Sequence, residues 1–326
     1  EVLVFSRTPL RSGTQAGRSG KPLTISCSER VLGQVLDVFG HILSGHKKKI
    51  VSESESRKIE NDPVSMSARK KISRPLPTGV AIVDLLVPLS HGQRELIIGD
   101  RKTGKTQFLL KTIMHQVSLG TICIYCVIGK RNQEIKSIED FFRKHGLLEK
   151  SIIIAATSSS SPGEVVYTPY TAMTLAEYFR DMGHDVLLVL DDLTTHAKYY
   201  REIALVSGTF PGREAYPGDI FHFHSKLLER AGCFSTNEGK EAAITCLPVA
   251  ESVASDLTGY IQTNLMSMTD GHLFFDSENF AQGKRPAVNI FLSFTRVGRH
   301  TLSPLFKYIN SKLTTFIKKH EDTQKF

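Results

Sequence analysis

Gly99-Asp100-Arg101-Lys102-Thr103-Gly104-Lys105-Thr106 spells G-x-x-x-x-G-K-T, and its flanks decide the fold. Before it, Glu95-Leu96-Ile97-Ile98 reads as a short buried strand. After it, Gln107 to Val117 sets Phe108, Leu109, Leu110, Ile113, Met114 and Val117 on one apolar side of a helix. A strand that turns through glycines into a helix lets backbone N–H groups curl around phosphates. The helix N-terminus adds a partial positive charge. Lys105 is spaced to reach terminal phosphates, and the Thr106 hydroxyl to hold magnesium. The stretch implies a nucleoside triphosphate site.

At 326 residues the chain has material for one large or two modest domains. A net charge of +8 favours anionic ligands, acidic partners or a membrane surface without demanding nucleic acid. No basic stripe interleaved with aromatics is present, so nucleic acid is not an expected partner. The cysteines number five, an odd count in a chain too long to need disulfide staples, which points to a reducing compartment. Cys123 and Cys126 form a C-x-x-C inside the strand-like run Thr121 to Ile128. An offset of three puts their thiols on opposite faces of a strand, so a metal or redox pair is not expected. No apolar stretch approaches the ~20 residues of a membrane helix, and no signal peptide is recognisable. The chain begins at Glu1 rather than Met, which reads as processing or a fragment and leaves a removed targeting segment open.

Along the chain, residues 1–45 look β-rich, with strand candidates at Val2 to Phe5, Pro22 to Ile25 and Val31 to Asp37. That is too little for a closed barrel. Residues 46–74 read as a charged, solvated linker. From 75 to 300, strand candidates at 95–98, 122–128, 151–155, 186–190, 244–249 and 288–294 alternate with helices at 106–118, 134–146, 171–182 and 220–231. Such alternation implies an α/β fold with a mostly parallel sheet covered on both faces. Ser158 to Ser161 reads as plain flexible loop, and residues 301–326 as a helix-prone basic tail.

A phosphate loop calls for a carboxylate at the end of a neighbouring buried strand to orient magnesium. Val186 to Leu190 followed by Asp191-Asp192 supplies one, with Asp191 the better candidate. Hydrolysis also needs a group that positions the attacking water. After the strand that follows the loop stands Gly129-Lys130, and an ammonium cannot act as a base at neutral pH. Glu134 sits near a helix start, where its charge favours the helix dipole. The site reads as able to bind and poorly equipped to hydrolyse.

The run Gln93 to Arg101 with Thr103 to Thr106 resembles the α subunit of F-type ATP synthase. So do Glu177 to Asp181, Pro211 to Asp219, Leu227 to Ala231, Tyr260 to Gly271 and Thr295-Arg296-Val297-Gly298. The resemblance implies a P-loop NTPase core of the RecA-like kind and a non-catalytic chain holding Mg-ATP, in an α3β3-like ring with catalytic β-type subunits, beside central rotor and peripheral stalk subunits. Such a complex is peripheral to a membrane. It further implies that Arg296 is an arginine finger reaching the neighbour's catalytic site and that Ser293 is needed for activity. Arg285-Pro286 and Phe280 would contact adenine, and Glu251 would lie near the phosphates.

Departures accompany the resemblance. Lys102 replaces a glutamine in the loop, and Lys130 stands where α has glutamine and β its catalytic glutamate. Ser207 to Phe210 replaces an arginine-rich stretch just before Pro211, where the resemblance implies a contact between subunits. Residues 1–45 would be a remnant of the family's N-terminal barrel; most of that barrel and the C-terminal helical domain have no counterpart, so these domains would come from separate chains, or the chain is a fragment or a degenerate relative. An independent hexameric P-loop ATPase of the secretion or RNA-translocase type is the alternative. The basic pI of 9.2 leans the expected location towards the matrix side of the mitochondrial inner membrane, ahead of chloroplast thylakoid or bacterial membrane.

Overall fold

A computed structural model describes residues 3–5, 11, 13–45, 54–236 and 239–324. Its strands are β1 (Thr24–Cys27), β2 (Gln34–Leu36), β3 (Ile42–Gly45), β4 (Glu55–Lys58), β5 (Pro75–Leu76), β6 (Leu89–Ser90) and β7 (Glu95–Gly99). They continue with β8 (Ile122–Lys130), β9 (Ser151–Thr157), β10 (Val186–Asp191), β11 (Gly232–Ser235), β12 (Glu241–Glu251), β13 (Gly271–Phe275) and β14 (Phe294–Thr295). The helices are α1 (Ala81–Leu86), α2 (Lys105–Ser118), α3 (Asn132–Lys144), α4 (Pro162–Asp181) and α5 (Leu193–Val206). After these come α6 (Ile220–Leu228), α7 (Tyr260–Met268), α8 (Ser277–Ala281), α9 (Gly298–Thr301) and α10 (Pro304–Gln324).

The main sheet runs in the order β14-β13-β7-β12-β10-β8-β9-β2-β3, with β11 paired to β12. All neighbours from β13 through β2 are parallel. Such strands are buried on both faces, which explains their unbroken apolar runs. β8 shows the division: Ile122, Ile124, Cys126 and Ile128 enter one core layer, Cys123, Tyr125 and Val127 the other. The two thiols therefore lie on opposite faces, and both are free and buried. Leucines and aromatics of α4, α5 and α6 close the first layer, and those of α2 and α3 the second.

The α/β, mostly parallel arrangement is the one expected, while several local expectations fail. The segment after residue 53 is not a solvated linker: β4 pairs antiparallel with β1, and Ile59 is fully buried. Its charges are anchored. Arg57 meets Asp181 at 2.6 Å and Arg74 meets Asp185 at 2.7 Å. The expected lysine-rich start of that linker, His46 to Lys49, lies outside the described residues, as does Val2. β2 and β3 are part of the main sheet rather than a barrel remnant, because β2 runs parallel to β9, and residues 3–5 form no strand.

Past a single bridge from Val288 to Phe275, the run Val288 to Phe294 is irregular until its last residue. The Asn289 side-chain oxygen accepts from the Phe291 and Leu292 amides at 3.1 and 3.2 Å, and Ser293 Oγ donates to the Asn289 carbonyl at 2.6 Å. Local side-chain bonds of this kind compete with a sheet ladder. Finally, α4 starts nine residues before the expected 171, at Pro162. Ser161 is its N-cap in a reciprocal capping box with Glu164, so the serine run has a structural task.

Candidate nucleotide-binding site

In an open parallel sheet, ligands gather at the carboxyl ends of the strands. β7, β12, β10 and β8 are consecutive neighbours in the sheet. Their carboxyl ends therefore bring Gly99, Glu251, Asp191 and Lys130 to one edge. A cleft of about 810 Å³ opens there, bordered by Lys102, Lys105, Thr106, Lys130, Asp191 and Glu251 among others.

The loop between β7 and α2 is tied from within and from the side. Gly104 has φ +96° and Lys102 φ +64°, so the chain curls as a phosphate cradle requires. At Gly99 a Cβ would stand 2.2 Å from the Phe275 carbonyl oxygen of β13, so only glycine fits. Thr103 Oγ1 donates to the Asp100 carbonyl at 2.8 Å. The Asp100 carboxylate accepts from Ser252 Oγ at 2.6 Å and from the Ser255 amide at 3.0 Å, which fastens the loop to the segment after β12. Lys105 Nζ folds onto the loop, donating to the carbonyls of Gly99 and Asp100 at 2.6 and 2.7 Å. Burial lowers its pKa from the usual lysine value. An anion in the cradle would favour its charged form and draw it off those carbonyls. Thr106 lies exposed in the first turn of α2, facing the cleft.

Asp191, nearly buried at 4 % side-chain exposure, is engaged on one oxygen by two groups. Its Oδ2 accepts the Tyr125 hydroxyl at 2.7 Å and pairs with the Lys130 ammonium. Burial disfavours the Lys130 charge, yet the neighbouring Asp191 charge and hydrogen bond leave its pKa above the usual lysine value. Asp192 also borders the cleft and caps α5, accepting from the Thr195 amide at 2.6 Å. Burial and the adjacent Asp191 raise its pKa to about 6. Glu251 accepts Arg101 Nε at 2.9 Å on both oxygens. Magnesium would call on Thr106 and Asp191. With Oδ2 of Asp191 held by an ammonium and a hydroxyl, the donors do not fit a divalent cation held directly on that oxygen.

The other expected site residues fall in three places. Phe280 borders the cleft, and the Arg285 guanidinium stacks on its ring at 3.6 Å, with Pro286 next in the chain. Arg285 and Pro286 stand behind Phe280 rather than in the cleft. Ser293 is away from it: its Oγ accepts from the Phe274 amide at 2.9 Å and donates to Asn289, which ties the turn to β13. Arg296 also lies outside the cleft, exposed just past the edge strand β14, with its amide donating to the Asp270 carbonyl at 2.9 Å. Among the described residues its guanidinium makes no hydrogen bond. The sequence reading missed Tyr125, Thr195 and Ser252, which hold the site's carboxylates. Tyr125 lies within β8, Thr195 in the first turn of α5 after β10, and Ser252 directly after β12, positions whose meeting only the strand order reveals.

A family model described as ATP synthase alpha/beta family, nucleotide-binding domain, matches residues 79–295. The chain is 38% identical over 325 residues to a protein called ATP synthase subunit alpha from Clostridium acetobutylicum, covering 100% of this chain and 64% of that protein. It is 39% identical over 326 residues to proteins of the same name from Mycoplasma capricolum and Limosilactobacillus reuteri, covering 61% and 63% of them. The chain thus spans less than two thirds of the length of these relatives. All are bacterial, which overturns the mitochondrial location inferred above: a basic pI does not identify a compartment. With its glycine loop seated at the carboxyl edge of a parallel sheet and the matched stretch running through that whole sheet edge, the chain belongs to the ATP synthase alpha/beta family.

Proposed function

We propose that this chain is an α-type subunit of a rotary, proton-translocating ATP synthase that holds ATP without hydrolysing it. It alternates with catalytic β-type subunits in an α3β3-like ring, in contact with rotor and stalk subunits, on the cytoplasmic face of a bacterial membrane. The observation that carries the reading is the Lys130–Asp191 ion pair at the place where a water-activating carboxylate is needed. Two of the remaining carboxylates of the cleft are committed elsewhere, and the third stands on a helix start. Asp192 caps α5, Glu251 pairs with Arg101, and Glu134 lies exposed at the start of α3.

Within this reading the chain's own residues bind and orient. Loop amides and Lys105 cradle the phosphates, and Phe280, braced by Arg285, offers an apolar ring for the base. Arg296 serves a neighbour. Its exposed position beyond its own cleft supports a group that crosses a subunit boundary and stabilises charge on a transferring phosphoryl group.

Purification under mild conditions tests the assignment. A ring with equal numbers of this chain and a β-type subunit is the expected result. A homohexamer that hydrolyses ATP would replace it with an independent ATPase. In the assembled ring, Arg296→Ala should leave ATP binding by this chain intact and cut turnover by roughly 10³-fold or more. Unchanged turnover would remove the finger assignment.

A further inference from the structure

Lys130 is placed in the cleft by construction. β8 pairs with β10 up to Val127 opposite Asp191. A register shift between Ile128 and Lys130 then breaks the regular alternation. Gly129 makes that step with φ +64°, and a Cβ there would stand 2.9 Å from both Thr195 Cγ2 and Tyr199 Cε2. The resulting turn delivers the ammonium onto the Asp191 carboxylate at 17 % side-chain exposure, where Tyr125 fixes the same oxygen from below.

A divalent cation at a phosphate loop offsets phosphate charge and draws on the carboxylate of the neighbouring strand. Here a covalently tethered cation already holds that carboxylate. A metal ion would have to displace the ammonium or sit beside a like charge, with Asp192 already capping α5 and Glu251 already paired with Arg101. Lys102, Lys105 and Arg131 border the same cleft, so the site already presents an excess of positive charge to a polyphosphate. We propose that Lys130 substitutes for the divalent cation, so that this site takes metal-free ATP about as well as the magnesium complex. The proposal rests on the nucleotide-site reading and adds the form of the nucleotide that the site selects.

The test is titration calorimetry of ATP into the full chain, once with excess Mg2+ and once with excess EDTA, for wild type and Lys130→Gln. The wild-type Kd should differ by no more than about 3-fold between the two buffers, whereas Lys130→Gln should bind at least about tenfold more weakly in EDTA than in Mg2+. A wild-type affinity that falls tenfold or more in EDTA, on the order of 1.4 kcal/mol, overturns the proposal without needing any variant. Equal magnesium dependence in wild type and Lys130→Gln overturns the role of Lys130. Absence of ATP binding in both buffers overturns the nucleotide-site reading itself, a result distinct from binding that requires magnesium.

Discussion

Lys105 carries the simplest consequence at the scale of single residues. It is the loop's one side chain that both folds onto the loop carbonyls and faces the cleft. Lys105→Ala should weaken ATP binding at least about tenfold while the circular dichroism spectrum stays that of wild type; undiminished affinity would show that the phosphates do not sit in this loop. A second residue pair governs stability. Arg230 is fully buried and bonds Glu177 through Nε at 3.0 Å and Nη2 at 2.7 Å. Removing one partner strands the other charge, so Glu177→Gln should cost about 3–5 kcal/mol in urea unfolding. A loss under about 1 kcal/mol would mean that the buried arginine is satisfied by the Ile59 carbonyl and Thr174 alone. Spacing alone made the loop residues legible, because each glycine answers to a backbone requirement. The partnership of Lys130 with Asp191 was not legible, since it joins strands far apart in sequence.

Among the elements, α5 and α6 meet through a buried histidine pair. His196 Nε2 donates to the Val166 carbonyl at 3.0 Å, which leaves its Nδ1 to accept from His224 Nε2 at 2.9 Å. Burial lowers the His196 pKa to about 4, and burial beside His196 holds His224 well below the usual value. A depressed folded-state pKa contributes stability that is present above the unfolded value near 6.5 and is lost as pH falls towards 4. Unfolding free energy should therefore drop by up to roughly 1.4 kcal/mol per pH unit for each histidine over that window. His224→Phe should remove its share of that slope, and identical slopes in variant and wild type would contradict the pairing. Element types were read well where periodicity is strong, as in α2 and β10. They were read poorly where a local rule loses to packing. Pro169 inside α4 resembles a break, yet that helix is almost wholly buried and runs through it. The apolar content of Val288 to Phe294 resembles a strand, yet Asn289 and Ser293 fold it back on itself.

At the scale of the whole molecule, strand order produces the site. Alternating apolar runs and helices disclosed the layers of the fold. They did not disclose that β12, distant in sequence, would lie between β7 and β10 and bring Glu251 to the loop. The same order places one cation, Lys130, against the carboxylate that a hydrolytic site would keep available. On the proposed reading, binding and turnover are thereby separated within one chain. The direct measurement is to load the purified chain with ATP labelled at the γ-phosphate, remove free nucleotide by gel filtration, and identify what the chain retains after incubation. A chain that holds without hydrolysing should keep intact labelled ATP and release no labelled phosphate above the rate in protein-free buffer. Steady release of labelled phosphate, with ADP left on the chain, would contradict it.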